Sequence, residues 1–291
     1  MNKLALGTVQ FGIDYGINSI GGQVQQQEVE NILNYAYSQG INLLDTAPAY
    51  GDSEKILGRI GVSDFKVVTK TRHFDSTEIN NNDVELLSND FYHSLQGLKQ
   101  DRVYGVLIHN ANDLLKPGSQ KIFDQLQKLK LEGKITKIGV SVYDHNQLQS
   151  IVDDFDIDLV QLPFNILDRR MIESGMFVKL QSKGVEVHAR SVFLQGLLLM
   201  SKENRPDKFK RWSNLWAVWH EWLNDNHLSA LEATSRYVIS MSEISKVLVG
   251  VDSTEQLKEI VLASSGVLPN IPDEMFTNDI DLLNPSNWGK L

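Results

Sequence analysis

The sequence predicts a single α/β domain built as a (β/α)8 TIM barrel. Three observations point that way. Eight short apolar runs alternate, for the most part, with longer segments of helical period, a pattern that implies parallel strands joined by right-handed crossovers. Several runs are apolar almost throughout, as strands buried on both faces are. The 291 residues suit one barrel of about 250 residues with added loops. An open doubly wound sheet is the competing architecture. Eight strands favour the barrel, and no Gly-x-Gly-x-x-Gly follows the first strand, as a dinucleotide-binding open sheet would require.

Leu4-Ala5-Leu6 is the first strand. Residues 29–37 space apolar side chains at helical period and lead into Ile41-Asn42-Leu43-Leu44. Lys66-Val67-Val68-Thr69 follows, and Asn80-Asn81-Asn82 reads as a short polar loop. A helix over 84–98 precedes a strand over 103–108, and a helix over 122–131 precedes a strand over 135–142. Leu159-Val160-Gln161-Leu162, Val185-Glu186-Val187 and Val247-Leu248-Val249 complete the set. Residues 201–211 are polar, carry Pro206 and read as a surface loop. Trp212, Trp216, Trp219 and Trp222 lie at roughly helical spacing; a stripe packed on the barrel is favoured over a lid or an aromatic wall for a substrate. From about residue 268 the chain, with Pro269, Pro272 and Pro285, reads as an irregular tail of the one domain, 1–291.

Composition narrows the partners. A net charge of −9 disfavours nucleic acid and anionic membrane as general partners, since the overall field repels both. With no cysteine, disulfides, thiolate catalysis and thiolate metal sites are excluded. No long apolar run stands near the start, so neither a signal peptide nor a membrane span is expected and the cytoplasm is the default location. His73, His93, His145, His188, His220 and His227 show no paired ligand spacing, and no metal is predicted.

In a barrel, reacting groups sit where strands end and loops begin. Asp45 follows Leu43-Leu44, with Tyr50 five residues on. Lys70 ends the third strand and His109 follows Val106-Leu107-Ile108. Three consecutive strands thus deliver Asp, Lys and His to one face. The set has a chemical logic. A phenol with a pKa near ~10 holds its proton too tightly to donate it readily at neutral pH. A lysine ammonium beside it lowers that pKa, and a carboxylate keeps the ammonium in place and charged. An imidazole nearby orients a carbonyl oxygen or relays a proton. Each residue also has a plainer use: Asp45 as a cap, Tyr50 as packing over the mouth, His109 as a satisfied polar group. Lys70 is hardest to explain away, because a charge at a strand end needs a partner. Their joint placement at successive strand ends favours catalysis.

The stretch Leu43-Leu44-Asp45-Thr46-Ala47-Pro48-Ala49-Tyr50-Gly51-Asp52-Ser53-Glu54, continuing to Leu57-Gly58, resembles the most specific signature of the aldo-keto reductase family. Thr69-Lys70, Leu107-Ile108-His109, Ile138-Gly139-Val140-Ser141 and Val160-Gln161 resemble its later motifs in order, and Gly7-Thr8 with Gly12 its opening one. The likeness runs from about residue 4 to 263. It implies a (β/α)8 barrel that reduces aldehydes or ketones with NAD(P)H. It also implies Tyr50 as general acid, Lys70 and Asp45 as its tuning pair, and His109 as the carbonyl-orienting partner.

The same resemblance assigns a cofactor-binding set: Gly7, Thr8, Ser141, Gln161, Arg190, Ser191, Gly250, Asp252, Gln256 and Glu259. Ser141 and Gln161 match positions that hold the nicotinamide carboxamide; Val142 replaces the usual Asn. Ala189-Arg190-Ser191-Val192-Phe193 resembles a segment whose aromatic stacks on nicotinamide, here replaced by Arg190. That guanidinium either stacks, or turns toward a phosphate or an acidic substrate, or forms a structural salt bridge. Thr254 or Ser253 is expected to cap a helix whose free amides face an anion. Glu259 matches an adenine contact, followed by Ile260 where Asn is usual. Asp252 and Gln256 stand where a cation usually grips the 2′-phosphate of NADPH, and Asp252 suits a ribose hydroxyl instead. With Lys258 as a compensating cation, the expectation is NADPH slightly ahead of NADH. The partner is a small carbonyl compound, with a sugar-like one suggested by similarity to bacterial relatives of glycan-modification pathways. The rival function is a nicotinamide-binding regulatory subunit with little turnover. A barrel hydrolase or lyase would need a different constellation. Residues 10–25, 201–211 and the tail are expected to decide the substrate. Arg169 and Arg170 are expected in ion pairs.

Overall fold

The computed structural model describes residues 2–16 and 22–291; part of the 10–25 segment therefore lies outside the described residues. The strands β1 (Leu4–Gly7), β2 (Leu43–Asp45), β3 (Lys66–Lys70), β4 (Val103–Ile108), β5 (Ile135–Ser141), β6 (Leu159–Pro163), β7 (Glu186–Arg190) and β8 (Lys246–Gly250) form a closed parallel barrel in chain order. Closure is made by β8 pairing back onto β1, Leu4 beside Val247 through Gly7 beside Gly250. The barrel is the architecture, and the open sheet is excluded.

Strand ends differ from the sequence reading for local reasons. β2 starts at Leu43 because the Ile41 N–H bonds back to Ala36 O at 2.9 Å, ending the preceding helix around Gly40 at φ +72°. β7 runs on to Arg190, pairing Ala189 with Leu162 and Arg190 with Pro163. Its polar residues break the apolar run, so the sequence hides its true end. Helices Gln26–Ser38, Asn81–Leu98 and Gln120–Leu131 begin earlier than their apolar stripes, because their first turns are mainly polar. Asn80-Asn81-Asn82 is not a loop. Asn80 is an N-cap that accepts from the Asn82 N–H at 2.8 Å, and Asp83 returns the bond to the Asn80 N–H at 2.9 Å. Such a cap contributes about 0.5–2 kcal/mol.

Inside the barrel, Ala5, Leu43, Val68, Leu107, Leu159 and Leu248 pack as a cluster separate from the shell between strands and helices. Side chains on a strand alternate faces, so the next inward position is two residues on. Those positions are Gly7, Asp45, Lys70, His109, Gln161 and Gly250. Ser141 follows Gly139 in the same way, and Arg190 follows buried His188. The pleat alone thus raises eight named residues to the rim above an apolar floor. Gly139 has no room for a side chain: a Cβ there would collide with the Leu159 carbonyl oxygen.

The helix Ser213–Asp225 carries three of the four tryptophans, with Trp212 at its N-cap. All four are buried, as the packing reading expects. Two indoles hold the tail: Trp212 Nε1 donates to Asp279 Oδ2 at 2.9 Å and Trp222 Nε1 to Asn270 O at 2.8 Å. Residues 201–211 are not wholly a surface loop. Asp207–Trp212 is a 3-10 turn with Phe209 buried against Trp288 of the tail. Arg169 pairs with Asp273 at 3.0 Å and Arg170 with Asp168 at 2.6 Å, so both serve ion pairs. Among the described residues, no helix is long and apolar enough to cross a membrane.

Candidate active site

All four candidate catalytic residues and all ten candidate cofactor residues line one cavity of about 530 Å³ at the C-terminal mouth of the barrel. Lys70 is almost fully buried. Its Nζ donates to Asp45 Oδ2 at 2.7 Å and to Thr46 O at 2.9 Å. Gln161 Nε2 takes the other carboxylate oxygen, Oδ1, at 2.6 Å. The ammonium lies 4.8 Å from the centre of the Tyr50 ring. Tyr50 meets His109 edge-on, ring centres 6.3 Å apart.

Tyr50 is held by its backbone. Its N–H bonds to Ala47 O at 3.0 Å, and its carbonyl accepts from the Ser53 N–H at 3.1 Å. Gly12 presses on this turn, and a Cβ there would collide with the Tyr50 carbonyl oxygen. Thr8, expected on the cofactor side, is buried. Its Oγ1 donates to Asp45 O at 3.0 Å and lies 2.8 Å from Ser53 Oγ, so its hydroxyl binds β1 to the Tyr50 loop.

Burial sets the protonation states. It raises the Tyr50 pKa above the ordinary phenol value; the Lys70 ammonium pulls the other way without winning. The expectation that Lys70 would leave a lowered phenol is therefore reversed in the free protein, because desolvation outweighs the charge. For Lys70 itself, burial works against the charge, yet Asp45 and Tyr50 more than offset it and the pKa rises. His109 is pushed down to about 3, chiefly by burial and then by Lys70, His73 and Arg190. It is a neutral imidazole at neutral pH, with a buried Nδ1 that no described residue engages.

Arg190 does not pair with a carboxylate among the described residues. It donates to Val142 O at 3.0 Å and to Ser191 Oγ at 3.3 Å, and its guanidinium lies 4.4 Å from the centre of the Tyr143 ring. Stacking is its posture, but on a tyrosine of this chain; the structural salt bridge is not formed. Ser141 ends β5 on the cavity wall. Ser191, at φ +59°, opens a loop in which Leu194 and Gln195 also take positive φ. Gly250 faces Gln10, whose Nε2 would lie 2.5 Å from a Cβ at that glycine.

The helix Thr254–Ala263 is capped by one of the two expected residues, but its first amides are not all free. Ser253, not Thr254, is the cap, its Oγ accepting from the Gln256 N–H at 3.2 Å. The Thr254 N–H is not free for an anion, because it donates to the Glu28 carboxylate. Lys258 is turned to Glu255 at 3.1 Å and does not line the cavity. Of the other wall residues, Gln10 and Tyr15 fall in the 10–25 segment expected near the substrate and Phe193 in the segment 189–193, whereas the sequence reading missed Tyr143 and Gln195. It also passed over His73, whose ring centre lies 4.7 Å from that of His109. The pair Gln195-Gly196 is a local hint of a tight turn, and Tyr143 lies on a loop without periodicity.

A closed parallel barrel with a buried Lys–Asp pair, a phenol and an imidazole at its C-terminal mouth has the build of a barrel enzyme. The family model described as "Aldo/keto reductase family" matches residues 3–278, and the chain belongs to that family. Among curated relatives, L-galactose dehydrogenase of Arabidopsis thaliana is 28% identical over 281 residues, covering 89% of this chain and 85% of that one. The NADH-specific methylglyoxal reductase of Escherichia coli (strain K12) is 28% identical, covering 68% of this chain and 65% of its own. Among solved structures, an aldo-keto reductase of Bacillus halodurans superposes with a TM-score of 0.72 at 21% identity, covering 92% of this chain and 88% of that one, and so shares the fold. The family and its oxidoreductase relatives make this chain an NAD(P)-dependent oxidoreductase acting on a small carbonyl compound.

Proposed function

We propose that the chain reduces an aldehyde or ketone, reversibly, with Tyr50 as the proton donor. The observation that carries this is the buried Lys70–Asp45 pair at 2.7 Å beneath the Tyr50 ring. The residues fit a nicotinamide dinucleotide. The cavity spans the mouth from Tyr50 and His109 to Gly250 and Glu259, and polar atoms on its wall, notably Gln10 Oε1 and Asp252 Oδ1, lack partners among the described residues. Ser141, Gln161, Arg190 and Ser191 would flank the nicotinamide end; Gly250, Asp252, Gln256 and Glu259 would flank the adenosine end. When bound in reduced form, that cofactor supplies the hydride that reaches the carbonyl carbon.

The chain's own residues do the rest. His109, neutral, hydrogen-bonds the carbonyl oxygen and fixes its place beside the phenol. Tyr50 stays protonated through the neutral range, because burial raises its pKa, and so holds a proton to give. As negative charge grows on the carbonyl oxygen, the proton passes from Tyr50 to it. The Lys70 ammonium stabilises the phenolate left behind, in a site where water screens little. Asp45 and Thr46 O keep that ammonium in place.

The substrate is proposed to be a sugar-like carbonyl compound or the matching alcohol. L-galactose dehydrogenase and the D-arabinose 1-dehydrogenase of Saccharomyces cerevisiae, 23% identical over 272 residues, are relatives named for sugars. The test is oxidation of NADH or NADPH by purified protein with a panel of small aldehydes, ketones and aldoses. Turnover with any of them supports the reading. Binding of a dinucleotide with no turnover on the panel or on the corresponding alcohols would overturn the catalytic claim.

A further inference from the structure

We infer that the β8 end of the cavity selects NADH over NADPH. The inference rests on the proposal that this cavity holds a nicotinamide dinucleotide. Hydride transfer requires the nicotinamide beside Tyr50 and His109. In a closed eight-strand ring β8 lies across the mouth from β4, so the adenosine half belongs at Gly250, Asp252, Gln256 and Glu259. The two cofactors differ there alone, by a phosphate on the adenosine ribose.

Three features of that end oppose a phosphate. First, its charges are acidic. Asp252 and Glu259 line it, and Asp14 lies close enough to help burial raise the Asp252 pKa. The cations that line the cavity among the described residues are elsewhere. Lys70 is held by Asp45, and Arg190 is drawn to the end of β5 by Val142 O and the Tyr143 ring. Lys258, the expected compensating cation, is engaged by Glu255 outside the cavity.

Second, two of the amides at the start of the helix Thr254–Ala263 are already used. Thr254 N–H serves Glu28 and Gln256 N–H serves Ser253 Oγ. Glu28 is held below its usual carboxylate range, first by that backbone bond, so the helix start carries an anion of its own.

Third, among the described residues the cavity-lining buried atoms without a partner at this end are acceptors, Asp252 Oδ1 and Gln10 Oε1, with the Thr254 hydroxyl just outside the lining. Ribose hydroxyls and an adenine amine can donate to such atoms. A phosphate offers mainly acceptors and negative charge, and Asp252 would repel it. Gln256 fixes the carboxylate's backbone, its Oε1 accepting from the Asp252 N–H at 2.8 Å. The sequence expectation of NADPH slightly ahead gives way to NADH on these grounds.

The test is calorimetric titration of the full chain with NADH and with NADPH, alongside the variants Asp252→Asn and Asp252→Ser. NADH is expected to bind at least tenfold tighter. Asp252→Asn keeps the shape and removes the charge, and should raise NADPH affinity severalfold relative to NADH. Added salt should favour NADPH relative to NADH in the wild type, and do so less in Asp252→Asn. Equal or tighter NADPH binding by the wild type overturns the inference but leaves the reductase proposal standing. If neither cofactor binds, the dinucleotide reading falls, and this inference with it.

Discussion

Gln161 donates its side-chain amide to Asp45 Oδ1 at 2.6 Å while Lys70 donates to Oδ2 at 2.7 Å, so the carboxylate is gripped at both oxygens. The two donors come from β6 and β3, which are not neighbours in the barrel. The side chain matched to a carboxamide contact therefore also holds the carboxylate that pairs with Lys70 in position. Gln161→Leu leaves a buried charged oxygen without its partner. It should lower stability by about 1–3 kcal/mol, read from urea unfolding. An unchanged midpoint would mean that Asp45 does not depend on Gln161.

Tyr50→Phe removes the proton that Tyr50 is proposed to donate and little else. Turnover should fall by about 10²–10⁴-fold, with dinucleotide affinity and unfolding midpoint close to wild type. Steady-state rates beside calorimetric affinities separate the two effects. Retention of more than a tenth of the activity would remove Tyr50 from the acid role.

Lys70→Met strands Asp45 as a buried, half-compensated anion. The cost is expected at about 3–5 kcal/mol, because one partner of a buried pair has gone. Lys70→Met combined with Asp45→Asn should recover much of that stability, since asparagine still accepts from Gln161. Activity should not return in the double variant. Thermal unfolding and turnover of the single and double variants together decide it.

His109 makes stability depend on pH with a definite sign. In the unfolded chain its imidazole takes a proton below about 6.5. In the folded chain it does so only near about 3. Between those values the unfolded state binds the extra proton, so the folded state loses stability as pH falls from 6.5 toward 3. Unfolding free energies of wild type and His109→Gln, compared between pH 7 and 5, isolate this contribution. The wild type should lose more than the variant; equal slopes would mean that His109 titrates normally.

Much of this was legible from sequence because strands have period two. Asp45, Lys70 and His109 stand two residues beyond Leu43, Val68 and Leu107, and the apolar floor announces the polar rim. The end of β7 was less legible. Buried His188 and half-buried Glu186 bond each other at 2.8 Å, and these polar residues interrupt the apolar run before its end. Gln10 sits in the four-residue helical turn Val9–Gly12 and Tyr143 on a loop, both too short to leave a periodic pattern. The acidity of Tyr50 could not be read at all. It depends on how far burial outweighs one ammonium, a balance set by the packed site and not by spacing.

β1 is hydrogen-bonded to β8, and Glu28 reaches across to Thr254, so the first unit of the chain is completed by the last. During synthesis at about 5–20 residues per second, β1 would wait roughly 10–50 s for its second neighbour to be made. For that interval one edge of Leu4–Gly7 offers unpaired backbone groups to any other strand. Its brevity, four residues ending in glycine, shortens the stretch on which a wrong strand could settle.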